Sequence, residues 1–134
     1  MKLILASGSP RRKELLEMLG VKLDEIRPAK GEEKTEAGLS PAETVKSLAL
    51  QKAREVASYY SGDEVIIAAD TIVWADDMIL GNPKTEADAA SMLRRLSGKT
   101  HEVYSGLCVI RGDKTVSASE RTGVRFRELS DNEI

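Results

Sequence analysis

A short polar segment near the start of the chain has the residue types of an anion-binding turn. Residues 7–12 read SGSPRR and follow an apolar run. The hydroxyls of Ser7 and Ser9 and the guanidiniums of Arg11 and Arg12 could bind phosphate oxygens, and the glycine lets the backbone approach a ligand. A capped helix with solvated arginines fits the same spacing, so the residues alone leave both interpretations open. Neither a Walker loop nor a dinucleotide-binding glycine motif is present in this segment.

Two further charged residues interrupt apolar patterns. Asp70 ends an apolar run over residues 65–69, where a carboxylate could hold Mg²⁺ or activate water, or could simply form a turn. Lys52 lies on the apolar stripe of a predicted helix, so its ammonium must snorkel to water, pair with an acid or point into a cleft. Glu32 and Glu33 could ligate a hard cation or form a solvated surface.

The N-terminal elements would place these residues at one end of a sheet. Residues 2–6 predict a buried strand, and Ser9 predicts the N-cap of a helix that starts at Pro10 and ends before Gly20. The predicted apolar face of this helix consists of Leu15, Leu16, Met18 and Leu19. The charged stretch over 21–38 is typical of a long surface loop after a short strand.

The middle of the chain predicts a helix, a strand and a hairpin. Ser40 and Glu43 have capping-box spacing before a helical stripe that continues to about Tyr60. The run over 65–69 predicts a strand buried on both faces that stops at Asp70. Residues 71–74 and 78–80 then predict a hairpin.

The C-terminal part predicts a third helix, two strands and the start of a fourth helix. Thr85 and Asp88 open the third helix, which ends at 97–98. Strands are expected over 102–110 and 114–127 around a turn at 111–113. The spacing over 130–133 again has the form of a capping box and predicts another helix start, with a polar tail after the last strand as the alternative. His101 and Cys108 are interpreted as packing residues.

Composition narrows the classes of function. The chain has 134 residues, which predicts one domain, and a net charge of −2, which argues against a nucleic acid polymer as partner. One cysteine and one histidine exclude a disulfide within the chain and a multi-histidine zinc centre. No apolar run is long enough to span a bilayer, so we expect no membrane association and a cytoplasmic location.

Several segments together resemble the Maf proteins. Residues 5–16 (LASGSPRRKELL) look like the N-terminal signature of that family, and residues 51–53, 69–73 and 92–103 follow in the family's order. The resemblance implies an inosine-triphosphatase-like α/β fold, a mixed twisted sheet flanked by helices with a cleft between two lobes. It also implies that residues 1–134 form a single domain that lacks the family's C-terminal third, so that the second lobe is incomplete.

The resemblance implies a nucleoside triphosphate pyrophosphatase that releases pyrophosphate and leaves the nucleoside monophosphate. By position, Ser7, Ser9, Arg11 and Arg12 would bind the phosphates, and Lys52 would contact the triphosphate.

The resemblance also implies a divalent metal, with Mg²⁺ expected and Mn²⁺ as the alternative. Glu32 and Asp70 would hold it, and Asp70 would also be the general base. The threonine at position 71 resembles the subgroup of the family that acts on dTTP and UTP. Arg12 would be a second position that determines specificity. The family is also linked to septum formation and the arrest of cell division, and its members often form homodimers.

One departure from the family pattern concerns the loop after the hairpin. Asn82 stands where the family usually has a phosphate-contacting lysine, and Lys84 is the candidate to replace it. Together with the missing C-terminal third, this substitution motivates a second hypothesis, a catalytically impaired nucleotide-binding or regulatory remnant of the same family.

Overall fold

The computed structural model describes residues 2–31, 38–75, 77–80 and 84–134. The elements follow the order β1 (Leu3–Leu5), α1 (Pro10–Met18), β2 (Glu25–Ile26), α2 (Pro41–Ala57), β3 (Val65–Ala75), β4 (Met78–Leu80), α3 (Glu86–Leu96), β5 (Thr100–Arg111) and β6 (Lys114–Arg125). No helix within these ranges has the length and apolarity needed to cross a bilayer.

The strands form one mixed six-stranded sheet in the order β2-β1-β3-β5-β6, with β4 paired to β3. The short strands β1 and β2 and the first three residues of β3 pair in parallel, whereas β3, β5 and β6 form a long antiparallel ladder. The α/β class and the mixed sheet predicted above are therefore confirmed. The predicted hairpin is also confirmed, since Ala75 pairs with Met78.

Helix α2 covers one face of this sheet and supplies three of the nine residues of the main buried cluster. It begins with a complete capping box, in which the Ser40 side chain accepts from the Glu43 amide and the Glu43 side chain accepts from the Ser40 amide. Its apolar stripe packs against β1, β3 and β5. The buried cluster comprises Ile4, Ala6, Ala49, Ala53, Val56, Ile66, Ala68, Cys108 and Ile110. Burial raises the pKa of the Cys108 thiol, in keeping with its interpretation as a packing residue.

One glycine sets how closely α2 approaches the sheet. A Cβ atom added to Gly106 in β5 would collide with the carbonyl of Val45 and would lie 2.9 Å from the amide nitrogen of Lys46. These are backbone atoms of α2, so they cannot rotate away as a side chain would. At this point the backbone of α2 therefore lies closer to β5 than a residue with a Cβ atom would permit.

The prediction that a strand ends at Asp70, buried on both faces, is wrong. Strand β3 continues to Ala75, and along it buried residues alternate with more exposed ones. The ladder with β5 carries the strand onward, because Asp70 pairs with Gly106 and Thr71 with Ser105. The parallel partner β1 pairs with β3 only as far as Ile67. Asp70 therefore lies beyond the carboxyl end of β1, although β3 itself continues.

The predicted apolar face of α1 is not buried. None of the nine residues of α1 is buried, and Met18 and Leu19 are 81% and 80% exposed. The two ends of the helix are nevertheless capped as predicted. Ser9 is the N-cap, and Gly20, just beyond the C-cap, has a φ of 86°. A periodic apolar stripe becomes a buried face only where another layer packs on it. No helix or strand of the described ranges buries this one.

The remaining boundaries agree with the sequence to within about three residues, with one exception. Helix α3 starts after its Thr85 cap, and His101 packs edge-on against Phe126 at a centroid distance of 4.9 Å. The helix start predicted at Ser130 is present only as a turn over residues 131–133. One bond of the capping box forms, since the Ser130 amide donates to Glu133 Oε1 at 3.1 Å, whereas the Glu133 amide donates to the Ser130 carbonyl at 3.0 Å and not to its side chain.

We expect Gly106→Ala to destabilise the fold by about 1–3 kcal/mol, because the new methyl group must push α2 off the sheet. The matched control is Gly123→Ala in β6, where an added Cβ meets nothing within 4 Å. Urea unfolding of both variants measures the difference. Equal midpoints for the two would contradict the close approach of α2.

Candidate functional site

The turn between β1 and α1 is a compact hydrogen-bonded unit. The Ser9 amide donates to Ser7 Oγ at 3.1 Å, and the Arg12 amide donates to Ser9 Oγ at 3.4 Å. Ser7 is buried, with 7% of its surface exposed. Because the N-terminal amides of a helix lack partners within the helix and carry the positive end of its dipole, this turn is suited to an anion.

A small pocket lies against this turn. Its volume is about 240 Å³, and its lining consists of Ala6, Ser7, Gly8, Ser9, Arg12, Pro28, Ala29 and Lys52. Sites for drug-sized ligands usually occupy about 300–1,000 Å³. The pocket formed by the described residues is below that range, and its volume is suited to phosphate groups.

Lys52 and Asp70 form an ion pair beside this pocket. Lys52 projects from α2, and its Nζ lies 2.8 Å from Oδ1 of Asp70 on β3. Both side chains are largely withdrawn from water, with 19% and 11% of their areas exposed. This contact explains why a lysine occupies the apolar face of α2, since it pairs with an acid there. The pair places a fixed carboxylate and an ammonium at the carboxyl end of β1.

Arg12 connects the turn to the other face of the sheet. Its guanidinium donates to Ser7 Oγ at 3.5 Å through Nη1 and to Thr71 Oγ1 at 3.4 Å through Nη2. Successive residues of a strand point to opposite faces, so Asp70 faces α2 while Thr71 faces away from it. Ser105 adds a third hydroxyl, 3.5 Å from that of Thr71. Sequence reasoning missed Ser105, because only the pairing of β3 with β5 reveals it.

The other predicted site residues either lie apart from the pocket and the Lys52–Asp70 pair or fall outside the described residues. Arg11 is exposed on α1 and does not line the pocket as described. Glu32 and Asn82, like Glu33, lie outside the described residues. Lys84 is exposed near the start of α3, where its amide donates to Asp88 at 3.4 Å.

The wall opposite the turn was not predicted as part of the site. Pro28 and Ala29 form it, and the two amides that follow, those of Lys30 and Gly31, donate to the carboxylate of Glu55. These backbone hydrogen bonds lower the pKa of Glu55, with the Lys30 amide making the larger contribution. No local signal in the sequence connects Glu55 to a segment 24 residues away.

The described residues fit a divalent cation whose ligands come partly from phosphate oxygens, and not a cation enclosed by protein side chains alone. Within the described ranges there is no group of three or more His, Cys, Asp or Glu side chains that could enclose a metal. Asp70 nevertheless offers a hard carboxylate ligand beside the pocket. Mg²⁺ typically takes one or two carboxylates and completes its octahedron with water and substrate phosphates.

Comparison with known proteins gives consistent matches over nearly the whole chain. The model of the family "Maf-like protein" matches residues 2–134. A dTTP/UTP pyrophosphatase of Bacillus cereus strain AH187 is 56% identical over 133 residues, which are 99% of this chain and 69% of the relative. The protein of the same name from Bacillus anthracis strain CDC 684 / NRRL 3495 is 55% identical with the same coverage.

Solved structures support the fold. A nucleoside-triphosphatase / dITP/XTP pyrophosphatase from Mycobacterium abscessus superposes with a TM-score of 0.62 at 20% identity, covering 92% of this chain and 73% of that one. A HAM1 protein from Coxiella burnetii gives 0.63 at 14% identity, with 93% and 72% covered. This likeness confirms the inosine-triphosphatase-like fold expected from the resemblance. Because the family model and relatives more than half identical both span nearly all of its residues, this chain belongs to the Maf family.

Proposed function

We propose that this chain is a nucleoside triphosphate pyrophosphatase that hydrolyses dTTP and UTP to the monophosphate and pyrophosphate. The observation that carries the proposal is the Lys52–Asp70 pair, 2.8 Å apart, beside a phosphate-sized pocket built on a helix N-terminus. The relatives named dTTP/UTP pyrophosphatase, 56% identical to this chain, support the reaction and the substrates.

The turn after β1 binds the phosphates in this proposal. Ser7, Ser9 and the first amides of α1 offer hydrogen bonds, and Arg12 adds a planar guanidinium suited to phosphate oxygens. Arg11, exposed on the same helical turn, contacts phosphate that extends beyond the pocket. The concentration of donors stabilises the negative charge that grows on pyrophosphate as it leaves.

Asp70 acts as the general base. Its carboxylate accepts a proton from a water molecule, whose oxygen attacks the α-phosphorus. A bond forms between this oxygen and phosphorus, the bond from the α-phosphorus to the bridging oxygen breaks, and pyrophosphate leaves with that oxygen. Lys52 orients Asp70 through Oδ1 and contributes positive charge beside the phosphates. No covalent intermediate with the protein is required.

A divalent cation, Mg²⁺ or alternatively Mn²⁺, completes the proposed site. Asp70 would hold it, and Glu32, outside the described residues, is the proposed second ligand. When bound, the cation neutralises charge on the phosphate oxygens.

Thr71 and Arg12 select the base in this proposal, because their side chains meet on the face of the sheet away from α2. Asn82 contacts substrate in place of the usual lysine, with Lys84 as the alternative. A cytoplasmic location, a homodimer and a role in septum formation are also proposed from the resemblance.

The direct test is pyrophosphate release with Mg²⁺ across dTTP, UTP, CTP, GTP, ITP and a methylated guanosine triphosphate. We expect dTTP and UTP to be turned over preferentially. Calorimetric binding of dTTP by a folded chain that releases no pyrophosphate would contradict the proposal and favour the binding-only hypothesis.

Asp70→Asn should lower kcat about 10²–10⁴-fold, because the amide cannot accept the proton from water. Asp113→Asn, in the exposed turn between β5 and β6, is the matched control and should keep wild-type kcat. Steady-state kinetics measures both, with circular dichroism to verify folding. An active Asp70→Asn variant would remove Asp70 from the mechanism.

Thr71→Val should reduce the preference for dTTP and UTP over the other triphosphates about 5–10-fold. The reason is that Arg12 loses its hydroxyl acceptor on the face of the sheet away from α2. The ratio of kcat/KM values measures the change. Thr115→Val, exposed on β6, should leave the ratio unaltered. An unchanged ratio in Thr71→Val would exclude Thr71 as a specificity residue.

A further inference from the structure

We propose that Glu55 is a positioning residue that fixes residues 28–31 as one wall of the phosphate pocket. We call these four residues the pocket wall. The inference rests on the proposed function for its kinetic consequences and on the contacts of the described residues for its structural ones.

The carboxylate of Glu55 clamps the end of the pocket wall. The Lys30 amide donates to Oε2 at 2.7 Å, and the Gly31 amide donates to Oε1 at 2.5 Å. Each oxygen therefore receives one of two consecutive backbone amides, and hydrogen bonds to an ionised acceptor are the stronger kind. A Cβ added to Gly31 would lie 2.6 Å from Oε1, so glycine at this position allows the close approach.

The other end of the pocket wall is attached to the sheet. The amide of Arg27, immediately before the wall, donates to the Leu5 carbonyl of β1 at 2.9 Å. The Arg27 guanidinium lies 4.4 Å from the centre of the Tyr59 ring, and the Tyr59 hydroxyl donates to Glu55 Oε2 at 3.1 Å. The wall is thus fixed at both ends, to β1 before it and to α2 after it.

This attachment couples the wall to the reacting groups. Pro28 and Ala29 line the pocket across from the turn, and a Cβ on Gly8 would lie 3.5 Å from Pro28. Glu55 lies three residues after Lys52, so the two side chains are neighbours on the surface of α2. One helix therefore sets both the Lys52–Asp70 pair and the wall that faces the phosphates.

Loss of the clamp should weaken substrate binding more than chemistry. In Glu55→Ala the amides of Lys30 and Gly31 lose their acceptor, so Pro28 and Ala29 are no longer fixed against the turn. We expect KM for dTTP to rise about tenfold with kcat within about threefold of wild type. Glu55→Gln retains one acceptor oxygen and should show a smaller rise in KM.

The matched control is Glu64→Gln. Glu64 also accepts a backbone amide, that of Gly62 at 3.1 Å, and the Ser61 hydroxyl at 2.9 Å, but it precedes β3 at the end remote from Asp70. It should match wild type in both KM and kcat. If Glu55→Ala and Glu55→Gln both keep the wild-type KM, as Glu64→Gln should, the proposal is overturned.

Limited proteolysis tests the clamp without reference to catalysis. Trypsin cleaves after lysine, and the Lys30–Gly31 bond is held by Glu55 in the wild-type chain. We expect cleavage after Lys30 to accelerate about tenfold in Glu55→Ala and less in Glu55→Gln, but not in Glu64→Gln. Cleavage at the wild-type rate in Glu55→Ala would overturn the proposal. If the wild-type chain releases no pyrophosphate, the proposed function fails, while the cleavage rates still decide whether Glu55 fixes the wall.

Discussion

The contact between Lys52 and Asp70 joins the helical layer to the sheet at the point where the parallel and antiparallel parts of the sheet meet. An ammonium on the inner face of α2 is tolerated because a carboxylate on β3 lies 2.8 Å away. Removing one member would leave the other charged and largely shielded from water, which is costly. The pair in turn requires α2 to lie close to the sheet, and Gly106 makes that approach sterically feasible.

The same region of β3 lies between its two partners on one edge. β1 pairs with β3 as far as Ile67, and β4 pairs with it from Val73 onward. Asp70 lies between these two limits, next to the turn that carries Ser7 and Arg12. Among the described residues, this region combines the carboxylate of Asp70 with the ammonium of Lys52 and the guanidinium of Arg12. The proposed ligand, a triphosphate with a divalent cation, matches this combination of charges.

The sequence predicts those features that depend on local chemistry. Ser9, Ser40 and Thr85 mark helix starts correctly because an N-cap side chain bonds to amides two or three residues away. Asp70 and Lys52 stand out because each interrupts an apolar pattern, and the structure brings them together. The family resemblance supplies their roles, which remain proposals.

Features that depend on distant partners are not predicted from the sequence. The apolar run stops before Asp70, but β3 continues because β5 pairs with it, and the periodicity of one segment carries no information about its partner. The apolar stripe on α1 predicts a buried face that no described element covers. Ser105 and Glu55 enter the site through contacts spanning 34 and 24 residues of sequence, which only the folded chain shows.

The most direct test of the account is hydrolysis of dTTP by the chain in ¹⁸O-labelled water with Mg²⁺. The proposed attack on the α-phosphorus predicts one ¹⁸O atom in dTMP and none in the released pyrophosphate. Mass spectrometry of the two products measures this distribution. Label in pyrophosphate, or formation of dTDP and phosphate, would contradict the proposed arrangement of water, Asp70 and leaving group.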